Sequence, residues 1–157
     1  MSLPTIKLRK DQERRLRAGH LWIYSNEVDT AATPLRDFWP GDPVAILSQR
    51  GKWLAHGYVN PRSLICARVL SEDPRQRLDA GFLRKRLASA LALRERRYAQ
   101  PFYRLAFGES DRLPGLVVDR YGDYLAVQIT TAGMQRMQDD IVLVLSELLD
   151  PRSIVLR

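Results

Sequence analysis

Cysteine occurs once in this chain, at Cys66, and histidine twice, at His20 and His56. One thiol cannot build an internal disulfide framework, and such sparing use of cysteine fits a reducing, cytoplasmic setting. Two histidines and a cysteine scattered along the chain lack the spacing of a metal site. None of the nine glycines stands two residues from another. The glycine-rich turn of a dinucleotide or nucleoside site is therefore missing, as is a P-loop. No apolar run approaches the roughly 18 to 20 residues of a membrane span, and the first residues, Met1 to Lys7, have no apolar signal-peptide core. No membrane partner is expected. Ser110 has no base nearby in sequence, which makes a serine-hydrolase reading poor.

Positive charge is present in excess. The net charge is +7, and it is unevenly placed. Residues 1–100 hold 19 Lys+Arg against 10 Asp+Glu, while residues 101–157 hold 6 against 8. A basic first part joined to a mildly acidic second part suggests a polyanion-binding module beside one with another task. Only four of the 25 basic residues are lysines; the arginines' planar fork suits bidentate phosphate contacts, although arginine also serves simply as a solubilising residue.

In the first part, Thr5 to Arg9 alternates and reads as a strand with Ile6 and Leu8 on one face. Asp11 to Arg17 reads as a short helix, with Asp11 as N-cap and Gly19 as terminator. Its polar face gathers Arg14, Arg15 and Arg17 close to Lys10. His20-Leu21-Trp22-Ile23-Tyr24 follows, placing Trp22 and Tyr24 on one strand face beside the basic helix. Cations next to aromatics are the material of single-stranded RNA binding, by phosphate pairing and base stacking, although an aromatic pair on one strand face is more often core than platform. Residues 28–40 read as a loop. Strands are expected over 43–47, 53–59 and 64–70, with Gly and Pro turns between them, the pattern of a small β-barrel. Cys66 lies mid-strand and reads as a small core residue.

Glu72-Asp73-Pro74 punctuates the chain, giving expected domains of residues 1–73 and 74–157. Residues 79–98 form an amphipathic helix whose polar face carries Arg84, Lys85, Arg86, Arg94, Arg96 and Arg97. That face is either solvated or a second polyanion contact. Over residues 104–130, three short β-type runs separated by two turn clusters predict a three-stranded meander. Glu109, Asp111, Asp119 and Asp123 flank its turns, where carboxylates usually make turn hydrogen bonds; positioning of a neighbouring domain and acid–base chemistry are the lesser readings. Residues 133–149 form a second helix, apolar almost all round beyond residue 140, which calls for a second apolar partner: another domain or another chain. Ser153 to Leu156 begins a strand.

Arg104-Leu105 through Gly108-Glu109-Ser110-Asp111, Leu113-Pro114-Gly115-Leu116 and Val118-Asp119-Arg120-Tyr121-Gly122-Asp123 together resemble the central-domain signature of a methyltransferase family. Its members are PUA-domain-containing, S-adenosylmethionine-dependent enzymes that make 5-methylcytosine in large-subunit ribosomal RNA. His20-x-Trp22-Ile23-Tyr24-Ser25 and Gly51-Lys52-Trp53-Leu54-Ala55-x-Gly57 resemble the PUA part of that family, with Leu21 where the family tends to have proline. The resemblance implies an α+β chain: a PUA-like small β-barrel, then an α/β domain with a three-stranded meander and two helices. It further implies that the chain stops before a Rossmann-like domain carrying the S-adenosylmethionine site and the catalytic cysteines, whose thiolate adds to the base to make its C5 nucleophilic. Cys66 matches neither cysteine, so no catalytic residue and no cofactor are expected in this chain.

The expected function is RNA binding and substrate recognition for an rRNA cytosine-C5 methyltransferase. Lys10, Arg14, Arg15, Arg17 and Arg62 are the expected phosphate contacts, and Trp22 and Tyr24 the stacking residues. Expected partners are ribosomal RNA and, against the 133–149 helix, the absent catalytic domain or a homodimer mate. A stand-alone RNA- or ribosome-binding adaptor is the alternative, and a protein-only scaffold a third reading.

Overall fold

The computed structural model describes residues 3–157. The chain divides into two compact units, Met1–Gln76 and Arg77–Arg157, a few residues beyond the expected division after residue 73.

In the first unit, β1 (Thr5–Lys7), β2 (Trp22–Tyr24), β3 (Pro43–Leu47), β4 (Trp53–Val59) and β5 (Ile65–Ser71) form one sheet of order β1-β3-β4-β5-β2. The β3–β4 and β4–β5 hairpins are antiparallel, as their short turns require, and β1 pairs with β3 in parallel. The sheet curls until the segments that follow its outer strands meet. Leu8 bridges Val28, with the Arg9 N–H donating to Glu27 C=O at 2.9 Å and the Asp29 N–H to Lys7 C=O at 2.8 Å. The core inside the curl comprises Ile6, Leu8, Ile23, Val28, Val44, Ile46, Val59 and their neighbours, all buried. Gly57 makes the curl possible: a Cβ there would lie 2.1 Å from the Arg68 carbonyl oxygen, where the β4–β5 register shifts.

The helix α1 (Glu13–Arg17) has five residues, too few to hold without tertiary support. Leu16, buried against the core cluster, supplies that support. The helix ends in a Schellman closure: Gly19 at φ +92°, with the His20 N–H on Arg15 C=O and the Gly19 N–H on Leu16 C=O. Asp11 is not the N-cap. It adopts a left-handed φ of +66° in the preceding turn, and the cap position falls to Gln12, which makes no side-chain cap bond.

In the second unit, α2 (Ala80–Glu95) starts on Asp79, whose carboxylate accepts the Phe82 N–H at 3.1 Å. The expected meander forms as β6 (Phe102–Phe107), β7 (Leu116–Tyr121) and β8 (Tyr124–Ile129). A fourth strand, β9 (Ser153–Leu156), joins β8 in parallel, so the sheet has four strands where the meander alone gave three. The expected 133–149 helix is two: α3 (Ala132–Arg136) and α4 (Gln138–Leu149), broken at Met137. Ile141, Val144 and Leu145 of α4 are buried, and α4 packs against α2. The second apolar partner demanded by its composition is thus first of all α2, within the same unit. Along β7 and β8 burial alternates: Leu116, Val118, Leu125 and Val127 face inward, while Tyr121 and Tyr124 are exposed.

Candidate nucleic-acid interface

The expected site residues cluster around α1 and β2. Leu16 points inward, which leaves Arg14 and Arg17, three residues apart, exposed to solvent; Lys10 is exposed in the turn before them. Arg14 makes only a 3.4 Å contact to Asp11, with 78% of its side chain exposed. Both cations therefore keep their charge available to an incoming polyanion.

Arg15 is different. Its Nη1 donates to Glu27 Oε1 at 2.7 Å, and its guanidinium lies 5.0 Å from the centre of the Tyr24 ring. The hydrogen bond to Glu27 holds the Arg15 guanidinium above its ordinary value, against a smaller opposing effect of desolvation. Glu27 is buried and uses its other oxygen to accept the Tyr24 N–H at 2.7 Å. One carboxylate thus ties α1 to β2 and lays the arginine over the tyrosine. Arg15 is a clamp on Tyr24, with its charge already compensated.

Ile23 takes the core position of β2, so Trp22 and Tyr24 point the other way. Trp22 is 37% exposed and stands opposite Arg68 in the ladder. Arg62 is exposed in the β4–β5 connection, which is tied to the end of β2 by the Ser25 N–H on Leu64 C=O at 2.9 Å. The structure thus brings Arg15 to Tyr24 and sets the Arg62 loop beside that strand end. Sequence reasoning missed Glu27 and Arg68. Arg68 was accessible as the outward residue between Ala67 and Val69, whereas Glu27 shows itself only once α1 and β2 are adjacent.

Groups able to make or break bonds are otherwise occupied. The Cys66 thiol is buried, and desolvation pushes it up to about 11, which removes it as a nucleophile near neutral pH. His56 Nδ1 lies 3.2 Å from Gln76 C=O, and its ring meets Trp53 edge-on at 5.2 Å. In the second unit Asp111 holds Arg94, Asp119 holds Arg104 and Asp123 holds Arg152. Arg84, expected on a helix face that is either solvated or a polyanion contact, pairs with Glu147 of α4, and Arg94 pairs with Asp111. Among the described residues no group of three or more His, Cys, Asp or Glu is placed to hold a metal ion, and no helix is long and apolar enough to cross a membrane.

Residues 6–72, which hold the curled sheet, α1 and the outward aromatics of β2, match the family described as PUA-like domain. Beyond that module, the chain is homologous over about nine-tenths of its length to proteins named ribosomal RNA large subunit methyltransferase I. The Tolumonas auensis protein is 37% identical over 147 residues, 92% of this chain and 36% of that protein. The Aliivibrio fischeri protein is 37% identical over 146 residues, 91% and 36%, and that of Escherichia coli O127:H6 is 35% identical over 144 residues, 90% and 36%. The chain therefore spans about 36% of the length of these relatives. The same fold occurs in a Streptococcus mutans structure described as a SAM-dependent methyltransferase, with a TM-score of 0.80 at 16% identity, covering 99% of this chain and 41% of that one. It occurs again in a methyltransferase solved with SAH, with a TM-score of 0.79 at 16% identity, covering 100% and 40%.

Proposed function

We propose that this chain is the RNA-binding, substrate-recognition part of an S-adenosylmethionine-dependent rRNA cytosine-C5 methyltransferase that works in the cytoplasm. The observation that carries this reading is its homology to large-subunit rRNA methyltransferases across a PUA-like module whose exposed helix is basic. Lys10, Arg14, Arg17 and Arg62 neutralise phosphates. Trp22 offers a ring to a base, and Tyr24 does so on the face that Arg15 leaves open. Arg15 and Glu27 set the angle between helix and strand. S-adenosylmethionine supplies the methyl group in the parent enzyme. The residues described here do not fit it: the three strand-to-helix junctions, residues 8–12, 72–79 and 130–131, contain no glycine. These residues bind and orient RNA, and methyl transfer belongs to the remainder of the parent protein. The rest of that enzyme, or a second copy, is the partner we assign to residues 133–149, where Leu143 stays exposed.

The test is binding to a structured large-subunit rRNA fragment across salt. Four neutralised phosphates give a slope of about −3 in log K against log salt, a loss of roughly 60-fold between 50 and 200 mM. Arg14→Glu with Arg17→Glu should flatten the slope by about 2. A double variant that binds with the wild-type slope would show that α1 is only a solvated surface.

A further inference from the structure

Residues 80–97 of the second unit hold six cations against one acid, Glu95. Arg84 is taken by Glu147 and Arg94 by Asp111, and Arg86 lies over the Phe82 ring. Among the described residues no carboxylate pairs with Arg96 or Arg97, and both are exposed. They follow the last turn of α2, where the Arg97 and Tyr98 N–H groups each donate to Arg94 C=O at 2.9 Å. The negative end of a helix amounts to about half an elementary charge, so it compensates only part of two arginines. Arg97 lines a cleft of about 300 Å³ between this end of α2 and the 3-10 turn Gly108–Asp111, a volume at the lower end of small-ligand sites. The half-exposed Tyr98 ring lines it on the helix side and Ser110 on the turn side. Tyr98 is braced from behind. Its ring stacks on Tyr103, with centroids 5.4 Å apart and planes at 30°. Arg120, opposite Tyr103 in the ladder, lies 5.8 Å from that ring centre and donates through Nη1 to the Tyr103 hydroxyl at 2.9 Å.

We propose that this cleft holds one unpaired nucleotide of an RNA strand, with its base stacked on Tyr98 and the adjoining phosphates on Arg96 and Arg97. The proposal rests on the RNA-binding reading above and adds to it a second contact, in the other unit. Charge complementarity selects the occupant. The uncompensated arginines call for an anion, and the Arg94–Asp111 pair that also lines the cleft is already neutral. The ring narrows the choice further. An acidic protein segment would engage Arg96 and Arg97 but leave the braced Tyr98 unused, whereas a nucleotide uses both, its phosphate on the cation and its base on the ring. Arg97 and Tyr98 are neighbours in sequence and line the same cleft, so a base on the ring has its phosphate beside a cation. Stacking of this kind accepts any base, and the contact grips a strand without reading its sequence.

The experiment uses the 157-residue chain and a twelve-nucleotide oligouridylate bearing one 4-thiouridine. Binding is measured across salt in the Arg14→Glu, Arg17→Glu protein, so that α1 does not mask the cleft. Adding Arg96→Gln and Arg97→Gln should flatten the slope of log K against log salt by about 1.4, two single-strand phosphates at about 0.7 each. Adding Tyr98→Leu instead keeps apolar bulk but removes the π-face. It should weaken binding by about 5- to 150-fold and leave the slope unchanged. Photocrosslinking of the unmodified protein is independent of any variant and should mark Tyr98 or its neighbours in the cleft. Those cross-links should persist in the Arg14→Glu, Arg17→Glu protein. Unchanged affinity and slope in both sets of variants, or cross-links confined to residues 10–24, would overturn the cleft while leaving the α1–β2 reading intact. Binding of poly-L-glutamate that the Arg96→Gln, Arg97→Gln change abolishes, with oligouridylate affinity unaltered, would overturn it in favour of an acidic protein segment. Failure of the α1 reading shows itself separately, as an unaltered salt slope on the structured rRNA fragment in the Arg14→Glu, Arg17→Glu protein.

Discussion

Arg94 is the side chain whose removal is expected to cost the second unit most. Its Nη1 and Nη2 donate to the two oxygens of Asp111 at 2.8 and 2.6 Å, and its Nε donates to Arg104 C=O at 3.1 Å. Asp111 also accepts the Phe107 N–H at 2.7 Å. The pair fastens the end of α2 to the 3-10 turn Gly108–Asp111, and only 14% of the arginine and 8% of the aspartate side chain is exposed. Arg94→Met preserves the apolar stem but strands a buried carboxylate, a defect that costs about 3–5 kcal/mol. For a unit of this size each kcal/mol moves the midpoint by roughly 4–8 °C, so a fall of at least about 12 °C is expected. The assay separates the two units. All three tryptophans, Trp22, Trp39 and Trp53, lie in the first, while α2 and α4 lie in the second. Far-UV circular dichroism should report the loss, with tryptophan fluorescence as an internal reference for the first unit. The double variant Arg94→Met, Asp111→Leu should be less damaged than the sum of its parts, because the stranded charge is gone. A single-variant cost below about 1 kcal/mol with no coupling would refute the reasoning and class the pair with exposed ion pairs.

Gly57→Ala should unfold the first unit or destabilise it by more than about 3 kcal/mol, read by tryptophan fluorescence in urea, because the added Cβ meets backbone that cannot swing aside. Wild-type behaviour there would show that the β4–β5 bulge relaxes. The Cys66 thiol ionises near 9.0 when exposed and near 11 in the fold. The folded state therefore holds the proton longer, and this contribution is fully present below pH 9. It is lost as pH rises towards 11, amounting to roughly 2–3 kcal/mol. Cys66→Ala should flatten that alkaline decline in urea titrations, and an unchanged decline would assign it to other groups. Native protein at pH 8 should also resist thiol alkylation until it is denatured.

The strands and helices were readable because their signals are local. Asp79 caps α2 through the amide three residues on, the Gly108–Gly115 and Tyr121–Asp123 clusters turn the meander, and Asp150-Pro151 ends α4. The basic and aromatic composition of residues 10–24 likewise identified the surface worth testing. Sequence did not settle which of Trp22, Ile23 and Tyr24 faces inward, because alternation gives a period and not a phase. Nor did it pair β1 with β3 or β9 with β8: parallel partners are not joined by a tight turn, so no short motif announces them. The charges diverged most. Arg14, Arg15 and Arg94 are alike as letters, but Arg14 is solvated, Arg15 is clamped by Glu27 twelve residues away, and Arg94 is buried against Asp111 seventeen residues away. Backbone preference is set by immediate neighbours and so is carried by the sequence itself. The partner and dielectric surroundings of a charge are set by segments distant in the chain, and only the tertiary structure decided those.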